Sequence, residues 1–343
     1  MNKSIHASRR GFLLGAPAGL GLAPAMQAAP APAAAKANRL PREVWVATIS
    51  QNNARADNHR QMIRLVLGRM EQVAPFEPDI VCLPEVFPFV NIEGRRPPLE
   101  EVAEEPVGET CRPFAEFARK HHCYVVCATY TKEKGRFYNS AVFLDREGRS
   151  IGEYRKTHPT IDEMERGVHP GPLDPPVFQT DFGRVGAQIC FDIQWRDGWE
   201  KLEAAGAEMV FWPSAFAGGS MVNTKAWEHK YVVVSSTRKG TTKICDVNGA
   251  EMARTNTFTH WVCAPVNLEK AMLHTWPYVQ RFDEIRAKYG RRISITTYSE
   301  EEFTVIESRD PEVRVADVMR EFELKTHVEH IAEAGREQKK RRG

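Results

Sequence analysis

Apolar positions along this chain keep two different periods. From Glu43 onward, short runs rich in β-branched and aromatic residues alternate with amphipathic stretches, the pattern of strands and helices layered in an α/β domain. The runs predict strands at 43–49, 79–83, 123–130, 138–145, 150–155, 184–189, 208–213, 242–247, 250–254 and 260–266. Helical spacing predicts helices over 57–73, 109–121, 196–205, 223–234 and 311–334. Asp145-Arg146-Glu147-Gly148 marks one turn. Asn248-Gly249 predicts a two-residue hairpin turn, since both residues take positive φ cheaply. Antiparallel hairpins among α/β units argue against an all-parallel doubly wound sheet.

The last predicted helix starts at a capping Asp310 with Pro311 in its first turn, lines up Val315, Val318, Met319 and Phe322 on one face, and stops at Gly335. The basic run Gln338–Arg342 reads as a solvated tail. No internal repeat occurs, and no linker follows residue 40.

Composition narrows the class. A chain of 343 residues with 42% apolar content can bury a large core, which excludes disorder of the whole chain. The formal charge is +2, but five basic residues and no acid lie within 1–39, so the remainder has a slight acidic excess and no basic face for nucleic acid. Residues 1–39 run from Ser8-Arg9-Arg10-Gly11-Phe12-Leu13 through a short apolar stretch, Phe12–Leu22, into Ala/Pro-rich sequence with several A-x-A points. This order resembles a twin-arginine export signal. It implies a periplasmic or extracellular protein with no membrane association once the signal is removed. The expected organisation is a signal and linker over 1–39, a hydrolase domain over 40–300, and a helical extension with a basic tail over 301–343.

Seven cysteines, an odd number, sit mostly inside apolar runs, where a free thiol acts as a small hydrophobe; few or no disulfides are expected. His121, His122, Cys123 and Cys127 suggest a metal cluster only superficially. A strand there would set the two cysteines roughly 13 Å apart, and neither a metal nor another cofactor is expected.

Three strand ends deliver reactive side chains. Cys82-Leu83-Pro84-Glu85 brings a carboxylate among apolar neighbours, where burial should raise its pKa. Glu153-Tyr154-Arg155-Lys156 ends the strand that follows the Gly148 turn. Gly186-Ala187-Gln188-Ile189-Cys190-Phe191-Asp192 ends on a thiol before a polar bend. Singly, each has an ordinary reading: an ion-pair partner, a surface lysine, a buried thiol.

Together, in this order and 71 and 34 residues apart, they resemble the Glu-Lys-Cys arrangement of the nitrilase (carbon–nitrogen hydrolase) superfamily. Glu163-Met164-Glu165-Arg166-Gly167 before Pro170-Gly171 resembles that family's lid, and Trp212-Pro213-Ser214-Ala215 and Trp227-Glu228-His229 resemble later segments. The resemblance covers roughly 43–270. It implies a four-layer α-β-β-α sandwich and a homodimer or larger homo-oligomer. It also implies a Cys190 nucleophile, a Glu85 base, Lys156 with the Phe191 N–H as oxyanion stabilisers, and Glu165 as second glutamate, with Glu163 the alternative. Substrate contacts are expected from Phe191, Asp192, Trp195 and Ser214, with Phe216, Phe87 and Phe89 as further walls. Cys190-Phe191-Asp192 resembles amidases and carbamoyl hydrolases more than the Cys-Trp-Glu of nitrilases, so the expected substrate is a small amide or N-carbamoyl compound. Nitrile hydrolysis by the same triad, or a non-catalytic nitrilase-like binding protein, are the alternatives.

Overall fold

In the computed structural model, which describes residues 40–343 apart from Arg95, two six-stranded sheets lie face to face between helices. The first runs Trp261–Asn267, Glu43–Ile49, Ile80–Cys82, Tyr124–Glu133, Arg136–Leu144, Ser150–Arg155. The second runs Glu251–Arg254, Lys243–Cys245, Val232–Thr237, Met209–Ser214, Arg184–Ala187, Phe178–Gln179. Each has a parallel centre, with Val46 opposite Ile80 and Val185 opposite Met209, flanked by antiparallel hairpins. The expected export segment, 1–39, lies outside the described residues.

Side-chain alternation explains the layers. Val44, Val46, Val126, Phe143 and Tyr154 point inward from the first sheet to meet Ala187, Ile189, Phe211 and Val234 from the second. The opposite face of the first sheet, with Val81, Val125 and Leu144, packs on Met62, Val66 and Met70 of helix His59–Val73 and on Phe114 and Phe117 of helix Arg112–His121. Val210, Trp212 and Val233 of the second sheet pack outward on Trp199 and Leu202 of helix Asp197–Ala204 and on Val222 and Ala226 of helix Ser220–His229. This is the expected α-β-β-α sandwich.

Several local expectations change. The helix expected over 223–234 ends at His229, because Lys230 turns left-handed at φ 59°, and the β-branched run Val232-Val233-Val234 becomes a central strand. At Asn248-Gly249 only Gly249 has positive φ, and Cys245 pairs with Glu251 across a register shift, so the loop is longer than a two-residue primed turn. The single helix expected over 311–334 is two, Val315–Glu321 and His327–Arg342. Asp310 accepts the Glu312 N–H and caps neither; Thr326 and Glu329 form the capping box of the second, which runs straight through Gly335. Residues 270–308 also hold three unforeseen strands, in which Phe303–Ser308 lies between Lys270–His274 and Ile293–Tyr298. A boundary at residue 300 falls in the hairpin joining two of them.

The cysteines are unbridged, though Cys111 and Cys127 place their sulfurs 3.5 Å apart in the core. His121 pairs with Glu71, away from the buried Cys123 and Cys127. Among the described residues no helix is long and apolar enough to cross a membrane.

Candidate active site

Three strand ends converge at one end of the sandwich, where buried hydroxyls lock the sheets together. Thr48 donates to the Ser235 carbonyl at 2.6 Å, and Ser236 donates to the carbonyls of Ile49 and Cys82. Beyond Cys82, Pro84 ends strand pairing and the chain bends through Val86, at φ 38°, an uncommon conformation for a β-branched residue. That bend turns Glu85 inward. Across the cavity the chain turns at Cys190, φ 47°, into a short 3-10 segment, Cys190–Gln194.

Glu85, Lys156 and Cys190 line one cavity of about 170 Å³. The Lys156 ammonium, 1% exposed, donates to Glu85 Oε1 at 3.0 Å and to Glu163 Oε2 at 2.6 Å. Asn139 clasps the same two carboxylates, its Nδ2 donating to Glu85 at 2.9 Å and to Glu163 at 2.7 Å. Arg238 donates to the remaining Glu85 oxygen at 3.3 Å. An ammonium has three N–H donors; two of those on Lys156 are engaged, which leaves one for an incoming oxygen.

Of the two glutamates that the resemblance offers, Glu163 lies against Lys156 and Glu165, the expected one, does not. Thr160-Ile161-Asp162-Glu163 closes a capping box in which Thr160 accepts the Glu163 N–H and Glu163 Oε2 accepts the Thr160 N–H. The box fixes Glu163 against Lys156 and leaves Glu165, two residues on, at the exposed surface. The segment after it docks tightly: Gly171 donates to the Lys156 carbonyl at 2.8 Å, and a Cβ there would meet the Arg155 carbonyl oxygen at 2.2 Å. The site thus requires a glycine at 171.

Of the four residues expected to contact substrate, Asp192 is fully buried and serves the backbone. It accepts the N–H groups of Ile189 and His158 at 2.8 Å and the Tyr154 hydroxyl at 2.7 Å, so it staples the Cys190 turn to the strand end that bears Lys156. Trp195 turns outward, stacked on His158 with centroids 4.2 Å apart. Ser214 is buried and accepts the Phe216 N–H; its neighbour Ala215 forms the cavity wall. Phe191 lies in the first turn after Cys190, where N–H groups lack partners within the helix. Phe87 and Phe89 belong to the core. The cavity is far more polar than expected: Arg96, Arg166 and Arg238 line it.

Electrostatics follow from this packing. Burial alone would raise the Glu85 pKa, as its sequence context suggested. The charges of Lys156 and Arg238, with the hydrogen bonds from Lys156 and Asn139, outweigh burial and hold it down at about 2. Lys156 is pushed above its usual range, since Glu85 and Glu163 overcome its desolvation. Burial foremost, then the Glu85 charge, pushes the Cys190 thiol up to about 12 against the pull of Lys156. These shifts leave the Glu85 carboxylate and the Lys156 ammonium charged and the Cys190 thiol protonated at neutral pH.

With fold and site in view, similarity to known proteins places the chain. The carbon–nitrogen hydrolase family profile matches residues 44–271, well over half of it, and the chain belongs to that family. It is 34% identical over 166 residues to a nitrilase of Pyrococcus abyssi, a stretch covering 47% of this chain and 62% of that one. It is 29% identical over 202 residues to the deaminated glutathione amidase of Mus musculus, covering 54% of this chain and 59% of the other. The matched stretches span less than two thirds of these relatives. The fold matches an amidase from Nesterenkonia sp. at TM-score 0.58 and 18% identity, covering 65% of this chain and 90% of that one. A carbon–nitrogen hydrolase from Helicobacter pylori G27 matches at TM-score 0.58 and 18% identity, covering 72% and 93%.

Proposed function

We propose that this protein hydrolyses a carbon–nitrogen bond of a small amide or N-carbamoyl compound through a thioester on Cys190. The observation that carries the reading is the buried Lys156 ammonium, held between Glu85 and Glu163 in the cavity that Cys190 borders. Relatives named as amidases support an amide as substrate.

The chemistry follows from the charges. As Cys190 Sγ attacks the carbonyl carbon, its proton passes to Glu85 and negative charge moves onto the carbonyl oxygen. The third N–H of Lys156 and the Phe191 N–H stabilise that oxyanion, a contribution of several kcal/mol in a dry site. A carboxylate held near 2 is a weak base for a thiol near 12, so the proton leaves in concert with C–S bond formation, not before it. When the C–N bond breaks, the Glu85 proton goes to the departing nitrogen. Water then loses a proton to Glu85 and attacks the thioester. Breaking the C–S bond returns the acid product, and the proton goes back to sulfur.

The test is release of ammonia or amine from small amides, N-carbamoyl amino acids and nitriles by the purified protein. Amides or N-carbamoyl compounds should be cleaved and nitriles spared. Cys190→Ala should abolish the activity without unfolding the protein, and Lys156→Ala should reduce turnover by at least ~100-fold. Full activity in Cys190→Ala would sink the proposal, and nitriles as the only substrates would move the protein to the other branch.

A further inference from the structure

Other part-buried arginines in this molecule have acceptors for their side-chain donors: Arg146 pairs with Asp79 and Asp181, Arg155 with Glu133 and Glu153, and Arg69 donates to the carbonyls of Ser50 and Asn52. Arg96 and Arg166, both half-buried in the cavity wall, have no carboxylate within 4 Å among the described residues. Arg96 meets the Tyr130 hydroxyl and lies over its ring, and Arg166 reaches only the Pro97 carbonyl at 3.4 Å. Each keeps a buried N–H without an acceptor, Arg96 at Nε and Arg166 at Nη1. A desolvated donor left unpaired is costly, and more so on a charged group.

The charge balance repeats the point. Lys156 is matched by Glu85 and Glu163, and Arg238 shares Glu85. Asp162 also borders the cavity but is exposed and bonds to neither free guanidinium. Burial, and beside it the charges of Arg166 and Arg238, lowers the pKa of Arg96. The same two arginines border an outer cleft of about 830 Å³, whose rim carries the exposed Glu100 and Glu101. Arg96 and Arg166 therefore line both this cleft and the cavity that Cys190 borders.

We propose that the substrate carries an anionic group, a carboxylate, a short distance from its scissile amide, and that Arg96 and Arg166 are the residues that hold it. This deepens the hydrolase reading and rests on it. A planar guanidinium offers paired N–H donors that match a carboxylate, and an anion here would satisfy both orphaned N–H groups. The cavity is small, about 170 Å³, so the amide and the anion share a short chain.

The experiment compares two amides of nearly equal shape, succinamate and butyramide, with the full chain. Wild-type kcat/KM should favour succinamate by at least ~10-fold, and Arg96→Gln and Arg166→Gln should each cut that ratio by about 10- to 100-fold, chiefly through KM. Equal or better use of butyramide by the wild type overturns the proposal, as does an unmoved ratio in folded variants. Should Arg96→Gln fail to fold, Arg166→Gln and the wild-type ratio still decide it. Calorimetry of succinamate binding to Cys190→Ala separates this claim from the hydrolase reading. Binding that the arginine substitutions weaken, with no amide cleaved by the wild type, keeps the anion site and discards the hydrolase. Butyramide cleavage with no succinamate binding does the reverse.

Discussion

In the proposed reaction Cys190 has to be a nucleophile during turnover and an inert thiol otherwise. Burial and the Glu85 charge meet the second requirement by pushing its pKa up to about 12. The first then depends on substrate, whose developing oxyanion draws on Lys156 while Glu85 takes the proton. A pH prediction follows from the direction of that shift. With the thiol pKa raised, only about 1 in 10⁵ of Cys190 is thiolate at pH 7, and that fraction grows tenfold per pH unit. Alkylation of Cys190 by iodoacetamide, followed by peptide mass mapping, should therefore accelerate with unit slope in log rate from pH 7 to 10. A plateau below pH 8 would show that the resting thiol is already ionised. Glu85 teaches a related lesson: its apolar sequence neighbours signalled burial correctly, but the two cations that reverse the sign of its shift come from residues 71 and 153 positions away.

The lid segment Ile161–Glu165 shows how an element sets a residue's role. Its capping box, legible as Thr160-x-x-Glu163, is the signal that distinguishes Glu163 from Glu165, which the family resemblance alone left open. Glu163→Gln should lower kcat/KM by ~100-fold or more, whereas Glu165→Gln, at the surface, should change it by no more than about threefold. Thr160→Ala should cost about 1 kcal/mol of stability and lower activity, with Thr160→Ser restoring both, since serine caps equally well. Parallel steady-state kinetics and thermal unfolding of the four variants check this; an inactive Glu165→Gln would return the role to that residue. The strand-end motifs at Glu85 and Cys190 were readable because each terminates an apolar run, whereas Lys156 follows the mixed strand Ser150–Arg155 and stood out through its place between the other two. Arg238 was not readable, because it follows Val232–Thr237, a strand whose valines had been absorbed into the preceding helix pattern, and the left-handed Lys230 that separates the two is not a glycine. Asn139 gave only a weak sign, since Ser140 beside it is polar too and the strand Arg136–Leu144 is mixed at that end.

At the scale of the molecule, the sandwich was predictable from alternating runs and from family resemblance, while the region after residue 267 was not. Its strands carry mixed polar and apolar residues, as in Ile293–Tyr298 and Phe303–Ser308, and Lys270–His274 pairs with Phe303–Ser308 across an intervening helix. They build a separate small core of Leu273, Phe282, Ile285, Ile306, Val315 and Val318. Ending the chain at residue 300 removes the middle strand and Ile306, so the shortened protein should be insoluble or melt at least ~10 °C lower. Ending it at residue 326 removes only helix His327–Arg342, which has no buried side chain, and should shift Tm by no more than about 3 °C. Soluble yield and thermal melts of both truncations test the division; equal loss in the two would refute it.

The proposed reaction passes through a covalent bond between Cys190 and the acyl half of the substrate. Acid quenching of the protein during turnover of a small amide, with peptide mass analysis, measures that bond directly. The expected result is an acyl mass increment on the peptide bearing Cys190, labile to hydroxylamine and absent from Cys190→Ser. Turnover with Cys190 unmodified at every quench time, or an acyl group on a different residue, would contradict it.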